Sequence, residues 1–337
     1  MARRELGPDV LRVVQAVSGW LTVPGQPVLV ACSGGADSMA LAAAVAHLSR
    51  RVPELAGRVS ARVIDHGLQH GSGVVAETVA ARLASLGLPC EVRGVDVDPD
   101  STAGLEAAAR DARYLGLAAD CSPGTLVLLG HTLDDQAETV LLGLARGSGT
   151  RSMAGMPPRF TDPATGVDFG RPLLGLRREH TAQACQQWLL PIWYDPHNYN
   201  KRFTRVRVRT SVLPTLEAEL GPGVTEALAR TASLARIDAD ELDAQAAVRQ
   251  PPPGEGLAVA LLQELPEALA SRVLRGWLIA GGVAEPSHAH VQAVWSLVEA
   301  WRGQAGIDVP GDSRVVRRDA TLWLVDKGRA AGAAPDG

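Results

Sequence analysis

The feature that most constrains the fold is a regular alternation of short apolar runs with helical stretches between residue 28 and about residue 145. We interpret four apolar runs as strands: VLVAC at 28–32, VSARVID at 59–65, CEVRGV at 90–95 and TLVLLG at 125–130. Helices are predicted after them, at about 37–48, 74–86, 104–120 and 133–145. This pattern predicts an α/β fold, a doubly wound parallel sheet with helices on both faces. Ligands of such sheets bind beyond the carboxyl ends of the strands.

The first apolar run leads directly into the string Ser-Gly-Gly-Ala-Asp-Ser and then into a helix. Gly34 and Gly35 allow positive φ and a close approach of the backbone to an anion. The helix start adds unpaired N–H groups and the positive end of the dipole, and two serines add hydroxyl donors. Asp37 would repel a phosphate unless a Mg²⁺ ion bridges the two. We therefore predict a nucleotide phosphate site formed by Ser33, Gly34, Gly35, Ala36, Asp37 and Ser38. A Walker P-loop is excluded, because no Gly-Lys-Ser/Thr follows.

The fourth apolar run leads into LGHTLDDQAETVLLGLARGSG at 129–149. Thr132 is a good N-cap with Asp135 three residues on, and acids in the first turn suit the helix dipole. Glu138 is not explained in this way, because it shares a face with Asp134 and Asp135, where like charges cost roughly a few tenths of a kcal/mol each. A cationic ligand would relieve this repulsion. We therefore predict that Asp135 and Glu138 bind a cation, and that Asp135→Asn and Glu138→Gln leave stability unchanged or slightly higher.

Composition bounds the class of protein. The 337 residues are 46% hydrophobic and carry a net charge of −4, an ordinary profile for two packed domains. The sequence has no apolar run of about 18 residues and no apolar signal core at its start, so we expect a cytoplasmic protein without a membrane partner. No C-x-x-C pair occurs, so the scattered thiols are interpreted as buried and reduced: Cys32, Cys90, Cys121 and Cys185.

The alternation ends after residue 146. The next stretch is rich in Gly and Pro and is interpreted as a functional loop or a disordered segment. Helices are expected at about 177–189, 204–247, 266–280 and 287–301, followed by a hairpin of RVVRR and TLWLV. These signals predict a catalytic domain at 1–215, a helical connector at 216–250, a smaller α+β C-terminal domain at 257–327 and a disordered tail at 328–337.

The SGGADS string after a first strand is similar to the signature of the N-type ATP pyrophosphatases, which share an adenine nucleotide α-hydrolase-like fold. The longer string LGHTLDDQAET, with RGSG and a Gly-Met pair after it, resembles the tRNA(Ile)-lysidine synthetase family. Three more segments agree: DHGL at 65–68, GLEAAARDARY at 104–114 and YDPHNYNKRFTRVRVRTSVLPTLE at 194–217. The resemblance covers roughly residues 25–220, and the C-terminal domain matches only in position and size.

The resemblance implies an ATP-dependent ligase that forms a carbon–nitrogen bond. ATP adenylates the C2 carbonyl oxygen of the wobble cytidine in a CAU-anticodon tRNA(Ile), and the ε-amine of free L-lysine then attacks C2 and expels AMP. The product, lysidine, changes the tRNA from a methionine-like to an isoleucine identity. The implied cofactors are ATP and Mg²⁺, and the implied partners are tRNA(Ile) and lysine.

Roles for individual residues follow from the same resemblance. Asp37 would hold Mg²⁺, and His66 would bind ATP beside the phosphate loop. Asp135 and Glu138 would hold the lysine ammonium and accept its proton, whose removal at pH 7 costs roughly 4–5 kcal/mol. Arg113 would contact the developing charge. The catalytic set is therefore Asp37, Arg113, Asp135 and Glu138.

The densest basic run of the chain lies among aromatic residues, a pattern that suits an unstacked anticodon loop. The aromatic residues are Trp193, Tyr194, Tyr199 and Phe203. Together with an arginine on the helix predicted at about 104–120, the basic residues are the predicted tRNA contacts: Arg110, Lys201, Arg202, Arg205, Arg207 and Arg209. The C-terminal domain is expected to bind tRNA as well.

Two other functions stay open on the sequence. A cytidine or uridine thiolase of the same superfamily is the nearest, although that chemistry usually needs paired or catalytic cysteines. A non-catalytic protein that binds tRNA or nucleotide is the second. Amino-acid-dependent release of pyrophosphate from ATP with tRNA would discriminate among the three. The oligomeric state is open, with a homodimer as one candidate.

Overall fold

A computed structural model describes residues 6–67, 71–98, 104–147, 149–195 and 200–327, without the side chains of residues 105 and 106. The chain divides into two compact units. The first comprises Met1–Leu142 and Gly155–Arg230, and the second comprises Gly143–Ala154 and Thr231–Gly337. The predicted functional boundaries after residues 215 and 250 stay predictions. Among the helices of the described ranges, none is both long and apolar enough to cross a bilayer.

The first unit is built on a six-stranded sheet in the order β3-β2-β1-β4-β6-β5. Its strands are β1 (Val28–Ala31), β2 (Val59–Asp65), β3 (Cys90–Gly94), β4 (Leu126–Leu128), β5 (Arg159–Thr161) and β6 (Asp168–Gly170). All neighbours pair in parallel except β5 and β6, which are antiparallel. The predicted parallel α/β sheet is confirmed, and β1 lies inside it with the phosphate loop at its carboxyl end.

Helices follow the strands as predicted, with ends that differ by a few residues. The helices of this part of the chain are α1 (Pro8–Ser18), α2 (Ala36–Ser49), α3 (Ser72–Ser85), α4 (Leu105–Ala118), α5 (Leu133–Arg146), α6 (Thr150–Met153) and α7 (Arg178–Gln187). The predicted helical region from 204 is interrupted: it comprises α8 (Thr204–Arg207), a π-helical turn (Val208–Val212), α9 (Leu213–Leu220) and α10 (Val224–Ala247). Gly221 and Gly223, both at positive φ, separate the last two helices.

The central part of α2 is surrounded on all sides by the core of the first unit. Every residue from Ser38 to Ala46 is buried, so this helix has no solvent face. Its neighbours include β1, α1 and α7, with which it forms one apolar cluster. A helix that is apolar all round is a core helix, and its first turn carries the predicted phosphate loop.

The stretch after residue 146, interpreted as a functional loop or a disordered segment, contains short regular elements that the sequence does not predict. It contains α6 and the β5–β6 hairpin, and β6 extends the parallel sheet by pairing with β4. Phe169 of β6 is fully buried and stacks on Phe160 of β5, with ring centroids 5.2 Å apart. Strands of three residues are too short to show the alternation on which sequence interpretation depends.

The second unit has its own sheet and core, as the sequence predicts for a small α+β domain. Four antiparallel strands lie in the order β7-β10-β9-β8. The strands are β7 (Leu257–Ala258), β8 (Ile307–Asp308), β9 (Ser313–Arg318) and β10 (Thr321–Asp326), and the helices are α11 (Val259–Glu264), α12 (Glu267–Ala280) and α13 (His288–Glu299). Asp319 makes the predicted hairpin turn at φ 53°. The predicted disordered tail lies outside the described residues.

Candidate active site

The phosphate loop lies between β1 and α2. Gly34 has φ +83°, and a Cβ atom added there would lie 2.5 Å from Cγ2 of Val79, so only glycine fits. Gly35 has φ −72°, which any residue adopts, so the expectation of positive φ holds for Gly34 alone. The loop is closed by Ser38, whose hydroxyl accepts from the Ser33 backbone N–H at 3.1 Å and donates to the Gly35 carbonyl at 3.0 Å.

A glycine outside the predicted motif also forms this loop. A Cβ atom on Gly130, just after β4, would lie 3.0 Å from the Ser38 backbone nitrogen. The end of β4 can therefore approach the start of α2 closely only because residue 130 has no side chain. The backbone N–H of Trp193 donates to the Gly34 carbonyl at 2.8 Å, which places this predicted aromatic beside the phosphate loop.

Asp37 is held by two residues that the sequence interpretation missed. Thr181 donates its hydroxyl to Oδ1, and Arg178 donates from Nε to Oδ2 at 3.2 Å. Burial raises the pKa of Asp37, and Arg178 and Thr181 oppose this shift. Both residues lie on α7, which begins at Arg178 and has a second arginine, Arg177, as its N-cap residue. Cations at a helix N-terminus oppose the dipole, and this local conflict is the signal that could have marked Arg178.

The acidic face of α5 is already neutralised by arginines. Asp135 Oδ2 accepts from the Thr132 backbone N–H and hydroxyl, both at 2.8 Å, which is the predicted capping contact. Asp135 Oδ1 accepts from Arg178 at 2.7 Å and from Arg209 at 3.4 Å. Burial alone would raise the pKa of Asp135, but Arg178, His131 and the Thr132 N–H hold it below its usual range.

Glu138 is fully buried and lies among three guanidinium groups. Arg209 contacts both carboxylate oxygens, at 2.7 and 3.1 Å, Arg178 contacts Oε1 at 3.4 Å, and Arg205 contacts Oε2 at 3.3 Å. The repulsion between Glu138 and its acidic neighbours is therefore relieved by arginines of the chain itself, so the repulsion alone does not require a cationic ligand. Lysine binding by this pair stays a prediction.

The predicted basic run is divided between two faces. Arg205 and Arg209, four residues apart, point to Glu138 and are 26% and 29% exposed. Lys201, Arg202 and Arg207 are exposed. The structure thus brings two of the predicted tRNA contacts into the acidic site and leaves three at the surface.

Comparisons with known proteins agree with this geometry. A family model described as a PP-loop domain matches residues 11–216, and one described as a TilS substrate binding domain matches residues 257–323. A protein of Nocardia farcinica named tRNA(Ile)-lysidine synthase is 49% identical over 308 residues, which cover 90% of this chain and 92% of the relative. Proteins of the same name from Mycobacterium tuberculosis H37Rv and Salinispora tropica are 48% and 46% identical, over 88% and 96% of this chain and 90% and 98% of their own lengths.

The chain belongs to the tRNA(Ile)-lysidine synthase family. The resemblance stated from the SGGADS and LGHTLDDQAET strings is confirmed, and so is the use of ATP that the PP-loop domain implies.

A solved structure shares the fold of this family member. The U34-tRNA thiolase NcsA from Methanococcus maripaludis with its [4Fe-4S] cluster superposes with a TM-score of 0.53 at 15% identity, covering 66% of this chain and 77% of that one. The thiols of this lysidine synthase family member differ from reactive ones. Burial raises the pKa of all four cysteines, to about 12 for Cys90 and Cys185, whereas a reactive thiol has a lowered pKa. Cys32 and Cys185 are buried as predicted, and Cys90 and Cys121 are partly exposed.

A second group of arginines surrounds Tyr114 and His131. The predicted Arg110 and Arg113 lie over the Tyr114 ring, 5.3 and 5.6 Å from its centroid. Arg171, which sequence reasoning missed, is buried and donates from Nε to His131 Nδ1 at 3.2 Å. Burial lowers the pKa of His131 to about 3, so the imidazole is neutral at pH 7 and its proton lies on Nε2.

His66 lies at the end of β2, and its Nδ1 is buried with no hydrogen bond to another described residue. Burial, followed by the charge of Arg113, lowers its pKa. An unpaired buried nitrogen at the carboxyl edge of the sheet fits the predicted contact with a bound ligand. The Glu106 side chain, Leu68, Ser148 and the segment 196–199 with Tyr199 lie outside the described residues.

The predicted Mg²⁺ site rests on Asp37. Within the described residues, no group of three or more His, Cys, Asp or Glu side chains could hold a metal ion. Mg²⁺ commonly binds through one or two carboxylates together with phosphate oxygens and water. One carboxylate at the edge of a phosphate loop fits that mode, because ATP would supply the remaining oxygens.

Proposed function

We propose that this family member joins free lysine to C2 of the wobble cytidine in a CAU-anticodon tRNA(Ile), through an adenylated tRNA intermediate. The observation that carries the proposal is the position of Arg178, whose guanidinium contacts Asp37, Asp135 and Glu138 together. The phosphate loop and the acidic face therefore lie within the reach of one side chain. A site that adenylates a base and then admits an amine needs this proximity.

ATP binding is assigned to the loop of residues 33–38. The backbone at Gly34 and the N–H groups at the start of α2 bind the leaving pyrophosphate, where the helix dipole favours negative charge. Asp37 would hold Mg²⁺, which would supply charge neutralisation for the pyrophosphate when bound. His66 and the neutral His131 follow strands β2 and β4, which lie on either side of β1.

Lysine binding is assigned to Asp135 and Glu138. Their carboxylates hold the ε-ammonium group near the adenylated base, and one of them accepts the proton that the amine loses before its attack. Arg113 lies over Tyr114 with its Nε buried and unpaired among the described residues, so it can donate to charge that develops on the base or the phosphate.

tRNA binding is assigned to Arg110, to the basic run and to the second unit. Lys201, Arg202 and Arg207 are exposed and suit phosphate contacts. Residues 257–323 match the TilS substrate binding domain, which supports a role for the second unit in holding tRNA. The proposed reaction belongs in the cytoplasm, because free lysine, ATP and tRNA meet there.

The test is mass spectrometry of nucleosides from tRNA(Ile) treated with the protein, ATP, Mg²⁺ and lysine. We expect lysidine at the wobble position, and none when lysine or ATP is omitted. The matched control is the same tRNA with its wobble cytidine changed to uridine, which should remain unmodified. Pyrophosphate release without lysidine, or a sulfur-containing wobble base when a sulfur donor is supplied, would contradict the proposal.

A further inference from the structure

The carboxylates assigned to lysine already accept most of the hydrogen bonds that they can, from donors within the described residues. A carboxylate offers about four lone-pair sites. Asp135 receives contacts from the Thr132 N–H, the Thr132 hydroxyl, Arg178 and Arg209. Glu138 accepts two hydrogen bonds from Arg209 and one from Arg178, and Arg205 Nε lies 3.3 Å from Oε2 as an ion pair without a hydrogen bond. Because Glu138 is fully buried among three guanidinium groups, a lysine ammonium that binds to it has to take the place of one of them.

The charges in this place are also balanced. We call Asp37, Asp135, Glu138, Arg178, Arg205 and Arg209 the ion-pair cluster. Its three carboxylates face its three guanidinium groups, and the pKa of the adjacent His131 keeps that imidazole neutral. A further cation gains no net attraction from a neutral cluster. Because Glu138 is fully buried, an ammonium ion placed beside it would also lose its hydration.

Arg178 is the guanidinium with the firmest anchorage. It bridges carboxylates on two helices, and its own backbone N–H donates to Asp134 at 2.8 Å. The helix α7 that carries it packs against α1 and α2 through buried Ala184 and Cys185. Withdrawal of Arg178 would therefore disturb the core as well as the site.

Arg205 and Arg209 reach the ion-pair cluster from shorter elements than Arg178 does, and Arg205 also donates to the Thr139 hydroxyl at 2.6 Å. They lie on the short helix α8 and the π-helical turn after it, a feature often found at functional sites. Their neighbours in the run, Arg202 and Arg207, are exposed. A nucleic-acid backbone that reaches this run brings phosphates within a turn of Arg205 and Arg209. Phosphate accepts the same bidentate contact that Glu138 now accepts from Arg209.

We propose that Arg205 and Arg209 occupy the lysine site in the free protein and move to tRNA phosphates when tRNA binds, so that tRNA opens the site to lysine. This inference rests on the proposed function. The exchange leaves the number of ion pairs unchanged. The lysine ammonium group takes the place of the guanidinium beside Glu138, and the displaced guanidinium pairs with a tRNA phosphate instead. tRNA and lysine are then coupled ligands, and each raises the affinity of the other by the same factor.

The first experiment uses the wild-type protein without ATP, so that no reaction occurs. Radiolabelled lysine binding is measured by equilibrium dialysis with and without tRNA(Ile), and tRNA binding is measured with and without lysine. We expect each ligand to tighten the other by at least about tenfold, the effect of one hydrogen bond to a charged group. Equal lysine affinity with and without tRNA would overturn the proposal.

The second experiment removes the internal cation. Arg209→Gln should bind lysine about tenfold more tightly than the wild type in the absence of tRNA, and added tRNA should then change its lysine affinity less than about threefold. The matched control is Arg207→Gln, which removes the same charge from an exposed position. It should weaken tRNA binding but leave tRNA-free lysine affinity unchanged.

The possible outcomes distinguish a failure of the proposed arginine exchange from a failure of the proposed lysidine synthesis. A folded Arg209→Gln protein that binds lysine no more tightly than the wild type would contradict the exchange. If Arg209→Gln does not fold, Arg205→Gln and the wild-type coupling decide. Lysidine formation without coupling would leave the proposed function standing and remove only this inference, whereas absence of lysidine from wild-type reactions would remove both.

Discussion

The phosphate loop and the acidic face of α5 are the two halves of the proposed site, and the sequence reveals much more of the first than of the second. The loop is contiguous: its strand, its glycine turn and its helix start follow one another, and the structure preserves that order. In the acidic face, only the carboxylates are close together in the sequence. Its cations come from α7, α8 and the π-helical turn, about 40 to 70 residues later in the chain. A sequence motif can therefore contain all its acidic residues without revealing the arginines that pair with them in the fold.

Glu138→Gln tests this contrast most severely. From the sequence alone, loss of the charge should leave stability unchanged or slightly higher. In the structure, the change leaves Arg209, Arg205 and Arg178 beside a buried neutral amide, and breaking a buried ion pair costs about 3–5 kcal/mol. We now expect the free energy of unfolding in urea to fall by about that amount. Asp134→Asn, on the same helix but less buried, is the matched control and should lose under about 1 kcal/mol. Equal losses of unfolding free energy in the two variants would contradict the conclusion that Glu138 is the central carboxylate of a buried ion-pair network.

Asp37→Asn tests the loop half of the comparison. The amide keeps the shape of the side chain but removes the charge that would hold Mg²⁺ and that faces Arg178. We expect turnover at saturating Mg²⁺ to fall on the order of a hundredfold or more, with a circular dichroism spectrum like that of the wild type. A variant that retains more than a few per cent of normal turnover would exclude Asp37 from catalysis.

Two neighbouring glycines sharpen the account of the loop. Gly34→Ala places a Cβ at φ +83° and 2.5 Å from Val79, whereas Gly35→Ala places one at φ −72° with its closest neighbour 3.7 Å away. We expect the first change to lower the free energy of unfolding by about 1–3 kcal/mol and the second to change it by under about 0.5 kcal/mol. Similar losses in the two variants would mean that the conformation of Gly34 is not what limits substitution.

A pH titration examines the boundary between the two halves, where His131 lies. Its pKa is lowered to about 3 in the folded protein, against about 6.5 unfolded. Between these values the unfolded chain binds the extra proton, so stability rises with pH and is lost as pH falls from 6.5 toward 3. The wild-type slope should exceed that of His131→Gln by about 1.4 kcal/mol per pH unit between pH 6 and 4. Parallel slopes in urea unfolding would mean that His131 is not buried as a neutral ring.

The parts that sequence reasoning found share one property, which is that their cause is local. Four strands, the helices after them and the capping contact of Thr132 with Asp135 all depend on residues close in the chain. The parts that it missed depend on distant residues: Arg178 and Thr181 on Asp37, and Arg171 on His131. The β5–β6 hairpin was missed for a different reason, since strands of three residues show too little periodicity.

Arg205 and Arg209 illustrate a third kind of failure. The sequence marks them as predicted tRNA contacts, but a run of arginines does not reveal which members face inward. The direction depends on how α8 and the π-helical turn pack against α5, through the cluster of Val208 and Leu213 with Ala137. No local pattern contains that information. The site assignments of these two residues stay predictions that the coupling experiment addresses.

The complete enclosure of α2 has a mechanical consequence. Nine consecutive residues of this helix, Ser38 to Ala46, are buried, and close-packed interiors yield little to small forces. The phosphate loop therefore begins a rigid helix. We expect the backbone of the loop to move little when a nucleotide binds. Any movement that adapts the proposed site to successive ligands then has to come from α8 and the π-helical turn, which carry the partly exposed Arg205 and Arg209.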